Sequence, residues 1–154
     1  MRILIAGAGA VGGYFGGRLI EAGADITFLV RERRARQLEE RGLVIRSAHG
    51  DFASQVPFIR WTDSCDPFDA AIICCKAFDL IDTTNIIKSR LMPHAIVLPL
   101  LNGMAHLEYL DAQLPSATVL GGTCHIGVTL DAEGNVIHLN QLHSLTYGAR
   151  SANQ

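Results

Sequence analysis

A chain of 154 residues with 13 basic and 15 acidic side chains carries a formal net charge of −2. The length suits one domain and does not comfortably hold two, and the charge balance offers no global field for nucleic acid or an anionic membrane. Apolar residues make up 49%, enough for a sizeable core and against disorder. Charged residues reach only 18%, below the ~25% of ordinary soluble domains. That shortfall predicts an apolar surface covered by a partner, a further domain or a second copy in a homo-oligomer. Position 2 is Arg, and the apolar run Ile3-Leu4-Ile5-Ala6 breaks at Gly7, too short for a signal-peptide core or a membrane span. Cys65, Cys74, Cys75 and Cys124 form no CxxC pair, and the six histidines show no zinc-ligand spacing with cysteine. The reading is a reduced, cytoplasmic protein with no metal site and no disulfide scaffold.

Strand and helix patterns alternate along the chain. Residues 2–6 form a short buried-strand run, and 11–22 a helix closed by Gly23. Residues 25–30 hold the β-branched and aromatic run Ile-Thr-Phe-Leu-Val. A charged helix over 32–41 stops at Gly42, and 43–47 with 54–59 read as a hairpin around His49-Gly50-Asp51. A buried strand is predicted over 70–75. A helix follows over 79–92, striped by Leu80, Ile81, Ile86, Ile87 and Leu91 and ended by Pro93. Then come a strand over 95–101, a helix over 104–114, a strand over 118–127, and two short strands over 136–139 and 145–147. This alternation predicts an α/β, Rossmann-like doubly wound fold. Its mainly parallel sheet would carry helices on both faces, in a single domain over 1–154.

Gly7-Ala8-Gly9-Ala10-Val11-Gly12 is a GxGxxG motif between a predicted strand and a predicted helix, the context that gives the motif meaning. Gly7 permits the tight turn, Gly9 leaves room for a pyrophosphate, and Gly12 lets helix and sheet approach. The N–H groups at the helix start then face the phosphates. Gly12, Gly13, Gly16 and Gly17 all fall in this helix. At ~0.8–1 kcal/mol each relative to Ala, they cost a large share of a domain's stability, so close approach of a strand or a ligand must offset them. A glycine-lined packing face without a ligand is the plainer alternative. A membrane GxxxG face is opposed by Arg18 and Glu21. Cofactor choice turns on the end of the second strand. Arg31 stands there, with Arg33, Arg34 and Arg36 after it, and a guanidinium fork suits the 2′-phosphate of NADP. The other reading makes these arginines a solvated face and gives Glu32 the 2′-hydroxyl of NAD.

Three later segments narrow the class. Cys75-Lys76-Ala77-Phe78-Asp79, Leu98-Pro99-Leu100-Leu101-Asn102-Gly103-Met104 and Gly121-Gly122-Thr123-Cys124-His125-Ile126-Gly127 follow in that order. With the Gly7 motif and Arg31, the chain resembles the ketopantoate reductases (2-dehydropantoate 2-reductases) as far as Tyr147-Gly148. The resemblance implies NADPH-dependent reduction of a 2-keto acid to a 2-hydroxy acid, on the route to pantothenate. It places Gly7, Ala8, Gly9, Ala10, Val11 and Gly12 around the pyrophosphate and Arg31 on the 2′-phosphate. Lys76 would lie beside the cofactor near the cleft, Asn102 at the nicotinamide side and the substrate, and Gly127 with its backbone near the nicotinamide. Lys76 and Asn102 are the candidate catalytic residues. Taken alone, Lys76 reads as a snorkelling surface lysine and Asn102-Gly103 as a turn.

Members of that family are about twice as long. A second, helical domain supplies their general-acid lysine and a glutamate of the substrate pocket. The implication is the cofactor half of such an enzyme, inactive by itself. His125 reads as a structural strand-end histidine, and Cys74 and Cys75 as packing on opposite faces of a strand. Two other readings stay open: a different NADP-dependent 2-hydroxy acid dehydrogenase, and a non-catalytic dinucleotide-sensing module.

Overall fold

Six parallel strands carry the fold in a computed structural model that describes residues 1–150. Strand β1 (Arg2–Ala6) lies at the centre, with β2 (Asp25–Val30) on one side and β6 (Phe68–Ile73) on the other. The sheet continues outward to β5 (Phe58–Arg60) beyond β2, and to β7 (Leu91–Pro99) and β8 (Thr118–Val119) beyond β6. Both faces are covered, so the central strands are apolar throughout rather than alternating. Ile3 and Ile5 point to one face. There they join Tyr14 and Phe15 of α1 (Ala10–Glu21) and Ala35 and Leu38 of α2 (Glu32–Arg41). Leu4 and Ala6 point to the other, where Leu80 and Ile87 of α3 (Leu80–Lys88) and Leu107 and Leu110 of α4 (Ala105–Gln113) complete a second core. The doubly wound, Rossmann-like α/β fold is the one expected.

A second sheet was not foreseen. Strands β4 (Phe52–Ser54), β3 (Leu43–Arg46), β10 (Val136–Gly148) and β9 (Gly121–Leu130) form it in that order. It packs on the outer side of α1, which is therefore held between two sheets. A side-chain carbon at Gly16 would stand 2.5 Å from the Phe28 ring of the parallel sheet. One at Gly17 would stand 2.5 Å from Ile45 of the second. The helix glycines are offset by strand contact on both sides.

Four element boundaries differ from expectation. Only Phe52–Ser54 returns along β3, with Ile45 opposite Phe52. The rest of the expected arm crosses to the parallel sheet, because Pro57 has no N–H for the hairpin ladder and its carbonyl instead accepts from Phe28 N–H at 2.9 Å. The helix predicted over 79–92 begins as a 3₁₀ turn (Ala77–Asp79) and ends at Lys88. Leu91, Met92 and Pro93 already belong to β7. Pro93 is tolerated there because the register with β6 slips between Phe68 and Ala70, with His94 at φ 64°. The strand over 118–127 breaks at Leu120, where the chain passes from one sheet to the other. The last two strands are one, β10, with an irregularity between His138 and His143. Among the described residues no helix is long and apolar enough to cross a membrane.

Candidate functional site

All six strands of the main sheet run the same way, so their C-terminal ends share one edge. Taken across that edge, the loops bring Trp61 after β5, Arg31 after β2, the glycine loop after β1, Lys76 after β6 and Asn102 after β7. Neighbouring strands are ~4.8 Å apart, so these groups lie along one crevice. Its centre, between β1 and β6, is the switch point where open α/β sheets hold ligands.

The loop geometry follows the motif. Gly7 sits at φ +108°, a conformation that side chains rarely adopt. A carbon added at Gly12 would collide with the Gly7 carbonyl oxygen. Gly9 differs from both: an added carbon there would meet nothing within 4 Å. The fold does not use the space above Gly9. Gly9 also precedes α1, whose first turn has no side-chain cap and no acidic residue, so its N–H groups and the positive end of the helix dipole face the crevice. A pyrophosphate fits that arrangement. Arg34 donates through Nε to the Ala8 carbonyl at 2.8 Å and through Nη1 to the Gly134 carbonyl at 2.7 Å. Burial and the neighbouring Arg33 lower its pKa. In the sequence Arg34 was one of four similar arginines; only its tertiary contacts set it apart.

Arg31 reaches sideways across the crevice. Its Nη2 donates to Asp79 Oδ1 at 2.6 Å and its guanidinium lies 4.4 Å from the centre of the Trp61 ring. The side chain remains 51% exposed, so the fork is oriented and still accessible. Glu32 is held elsewhere. Its carboxylate accepts from Arg36 Nε at 2.9 Å and Arg60 Nε at 3.0 Å, and these arginines draw its pKa below the usual range. Trp61 and Asp79 escaped the sequence reading. Trp61 reaches the crevice only because β5 joins the parallel sheet, and Asp79 was read as a helix start and as the end of the Cys75–Asp79 segment, with no role of its own.

Lys76 is exposed and opens the 3₁₀ turn, its carbonyl accepting from Asp79 N–H at 2.9 Å. Asn102 is exposed beside Gly103, whose φ of +83° marks a tight turn. Gly127 stands against Asn140 rather than against the groups just named. It lies within β9, opposite the β10 irregularity, and its N–H donates to Asn140 Oδ1 at 3.2 Å. The part of β9 that meets the crevice wall is its start, where Gly122 abuts Leu98 and Pro99. His125 corrects the sequence reading: it is exposed in the middle of β9, opposite Ser144, not at a strand end. Cys74 and Cys75 lie just past β6 rather than in it, and pack towards opposite cores. Burial, with Cys124 and Cys75 adding to it, drives the Cys74 thiol far above its ordinary pKa. It is a neutral packing group.

The fold and this edge define a Rossmann-like α/β domain with a glycine loop at the sheet's switch point. The sequence pattern of the family described as ketopantoate reductase PanE/ApbA matches residues 3–152, and the chain belongs to that family. It is 41% identical over 148 residues to the uncharacterized oxidoreductase YkpB of Bacillus subtilis, covering 96% of this chain and 48% of that protein. It is 30% identical over 150 residues to a 2-dehydropantoate 2-reductase of Nostoc, covering 94% and 43%. A D-mandelate dehydrogenase, solved with NADH and anilino(oxo)acetate, aligns with a TM-score of 0.86 at 26% identity, over 96% of this chain and 48% of that one. The chain thus spans about half the length of the curated relatives it matches.

Proposed function

We propose that this chain is the NADPH-binding part, over residues 1–154, of an enzyme that reduces a 2-keto acid to a 2-hydroxy acid, with 2-dehydropantoate as the substrate. The observation that carries this reading is the pairing of an unobstructed Gly9 above the glycine turn with an accessible Arg31 at the end of β2. The loop Gly7 to Gly12 holds the pyrophosphate and Arg31 the 2′-phosphate. Lys76 offsets negative charge on the phosphates or the keto acid. Asn102 donates to a carboxamide or carbonyl oxygen. Bound NADPH would supply the hydride; reduction of the ketone also needs a proton donor. In this reading Lys76 is engaged with that negative charge, and the donor is the general-acid lysine of the family's second, helical domain. Dinucleotide binding then survives in the isolated chain while turnover does not, since losing general-acid assistance alone costs roughly 10²–10⁴-fold.

Arg31→Ala tests the cofactor assignment. Calorimetric titration is expected to show NADPH weakened by ~1.5–3 kcal/mol, the range for hydrogen bonds to charged groups, with NADH nearly unchanged. Equal losses for both would move the assignment to NAD. A second reading has its own support: the D-mandelate dehydrogenase neighbour carries NADH, which favours a 2-hydroxy acid dehydrogenase using either dinucleotide. Under that reading wild-type affinities for NADPH and NADH differ by less than about threefold.

A further inference from the structure

We infer that Asp79 sets the cofactor preference of this site by contending with a 2′-phosphate for Arg31. The inference rests on the reading of Arg31 just given, and adds a second residue to it. The Arg31–Asp79 pair is short, at 2.6 Å, and joins the end of β2 to the 3₁₀ turn after β6, 48 residues later. Asp79 stands at the N-cap position of α3, yet its side chain makes no capping hydrogen bond. The carboxylate is turned to Arg31 instead. The guanidinium carbon also lies over the Trp61 ring, 4.4 Å from its centre, so the fork cannot swing far from the carboxylate without giving up that contact. Of the other charges nearby, Glu32 pairs with Arg36 and Arg60, Arg60 pairs also with Glu39, and Arg90 donates to the Trp61 carbonyl. Lys76 is the cation at the other end of the same turn.

A phosphate monoester brings a charge of roughly −1.5 to −2 at neutral pH. At Arg31 it meets an ion pair with no net charge. It must either displace Asp79 or share the fork with it, placing two anions within ~4–6 Å, where like charges disfavour each other. A ribose 2′-hydroxyl meets the opposite situation. A carboxylate is an acceptor for it, as the acidic residue at the end of the second strand is in NAD-binding domains, and Arg31 holds the Asp79 carboxylate beside that strand end. One carboxylate therefore penalises NADPH and assists NADH, although the neighbouring arginine alone points to NADP.

The test is a pair of titrations, NADPH and NADH, on the 154-residue chain and on Asp79→Asn. Binding is read from the cofactor's own fluorescence and from Trp61, the chain's single tryptophan. Asparagine keeps the shape and removes the charge, and there is no side-chain cap to lose. The expected result is NADPH bound about three- to tenfold more tightly, a size set by one partly exposed charge, and NADH bound equally or less tightly. Asp79→Glu retains the wild-type preference, and melting temperatures stay together. An unchanged NADPH-to-NADH ratio in Asp79→Asn overturns the inference. So does weaker NADPH binding, which would make Asp79 a support for Arg31. A wild-type chain that binds neither dinucleotide removes the underlying reading as well, and shows this before any variant is compared.

Discussion

Arg34 tethers the glycine loop through backbone carbonyls, and its removal tests how much the order of the loop depends on that tether. Its bonds to the Ala8 and Gly134 carbonyls tie the loop to the turn between β9 and β10. Arg34→Met fills similar space and donates nothing. It is expected to cost ~1–3 kcal/mol of stability, the penalty for leaving partly buried acceptors unpaired, and to loosen the loop. A urea midpoint equal to wild type would show that the tether does not matter. A second residue-scale expectation concerns His143. Its ring stacks on His49 at a centroid distance of 3.8 Å, and its Nδ1 and the Tyr14 hydroxyl are hydrogen-bonded at 3.0 Å. Desolvation lowers its pKa, and His49, His138 and Arg18 lower it further. The unfolded chain, with an imidazole near ~6.5, therefore takes up the proton first. The contribution to stability is complete above that value and is lost as pH falls from there through the depressed folded pKa. Urea midpoints should drop over that window, and His143→Asn should flatten the drop. A wild-type midpoint constant from pH 7 to 5 would contradict this.

Helix α1 shows why the glycine pattern was legible at the scale of an element but its cause was not. The sequence announced that something approaches this helix closely. It did not announce a second sheet, because β3 (Leu43–Arg46) lies far along the chain from the consecutive strands β9 (Gly121–Leu130) and β10 (Val136–Gly148), and they meet only in the fold. For the same reason β5 was read as a hairpin arm, and Trp61 with it was missed. The parallel sheet was legible, since its strands are short apolar runs bounded by turns. The crevice was legible through Gly7, Gly9, Gly12 and Arg31, whose types are dictated by local backbone and charge. Asp79 and Arg34 were not, since their roles depend on partners 48 and 100 residues away. Gly16→Ala tests the sandwiched helix. Alanine is favoured over glycine in a helix by ~1 kcal/mol. The added carbon, however, falls on the fully buried Phe28 ring, and overpacking costs ~1–3 kcal/mol. Packing should win, giving a lower denaturation midpoint at unchanged slope. A more stable variant would mean that the two sheets do not clamp the helix.

Across the whole molecule, the low charged fraction has a visible counterpart. Phe78 is 83% exposed, Met104 72% and Ile81 60%, all in segments beside the C-terminal edge of the parallel sheet. Apolar groups of that size beside a crevice promote association when bare. The isolated chain is expected to self-associate with rising concentration. Phe78→Ser with Ile81→Ser should return it towards a monomer in light scattering. A concentration-independent monomer in the wild type would contradict this.

The central claim is that the crevice at the C-terminal edge of the parallel sheet is a dinucleotide site, and Gly9 is the point at which to test it. Its φ of −76° suits any residue, and an added side chain meets nothing in the protein. Gly9→Val therefore leaves the fold intact while filling the space meant for the pyrophosphate. The measurement is NADPH titration by fluorescence on wild type and Gly9→Val, with melting temperatures taken alongside. The account predicts saturable binding by the wild type and none by the variant, at closely similar melting temperatures. Binding of equal affinity by a folded Gly9→Val would contradict it, because the glycine would then serve packing alone.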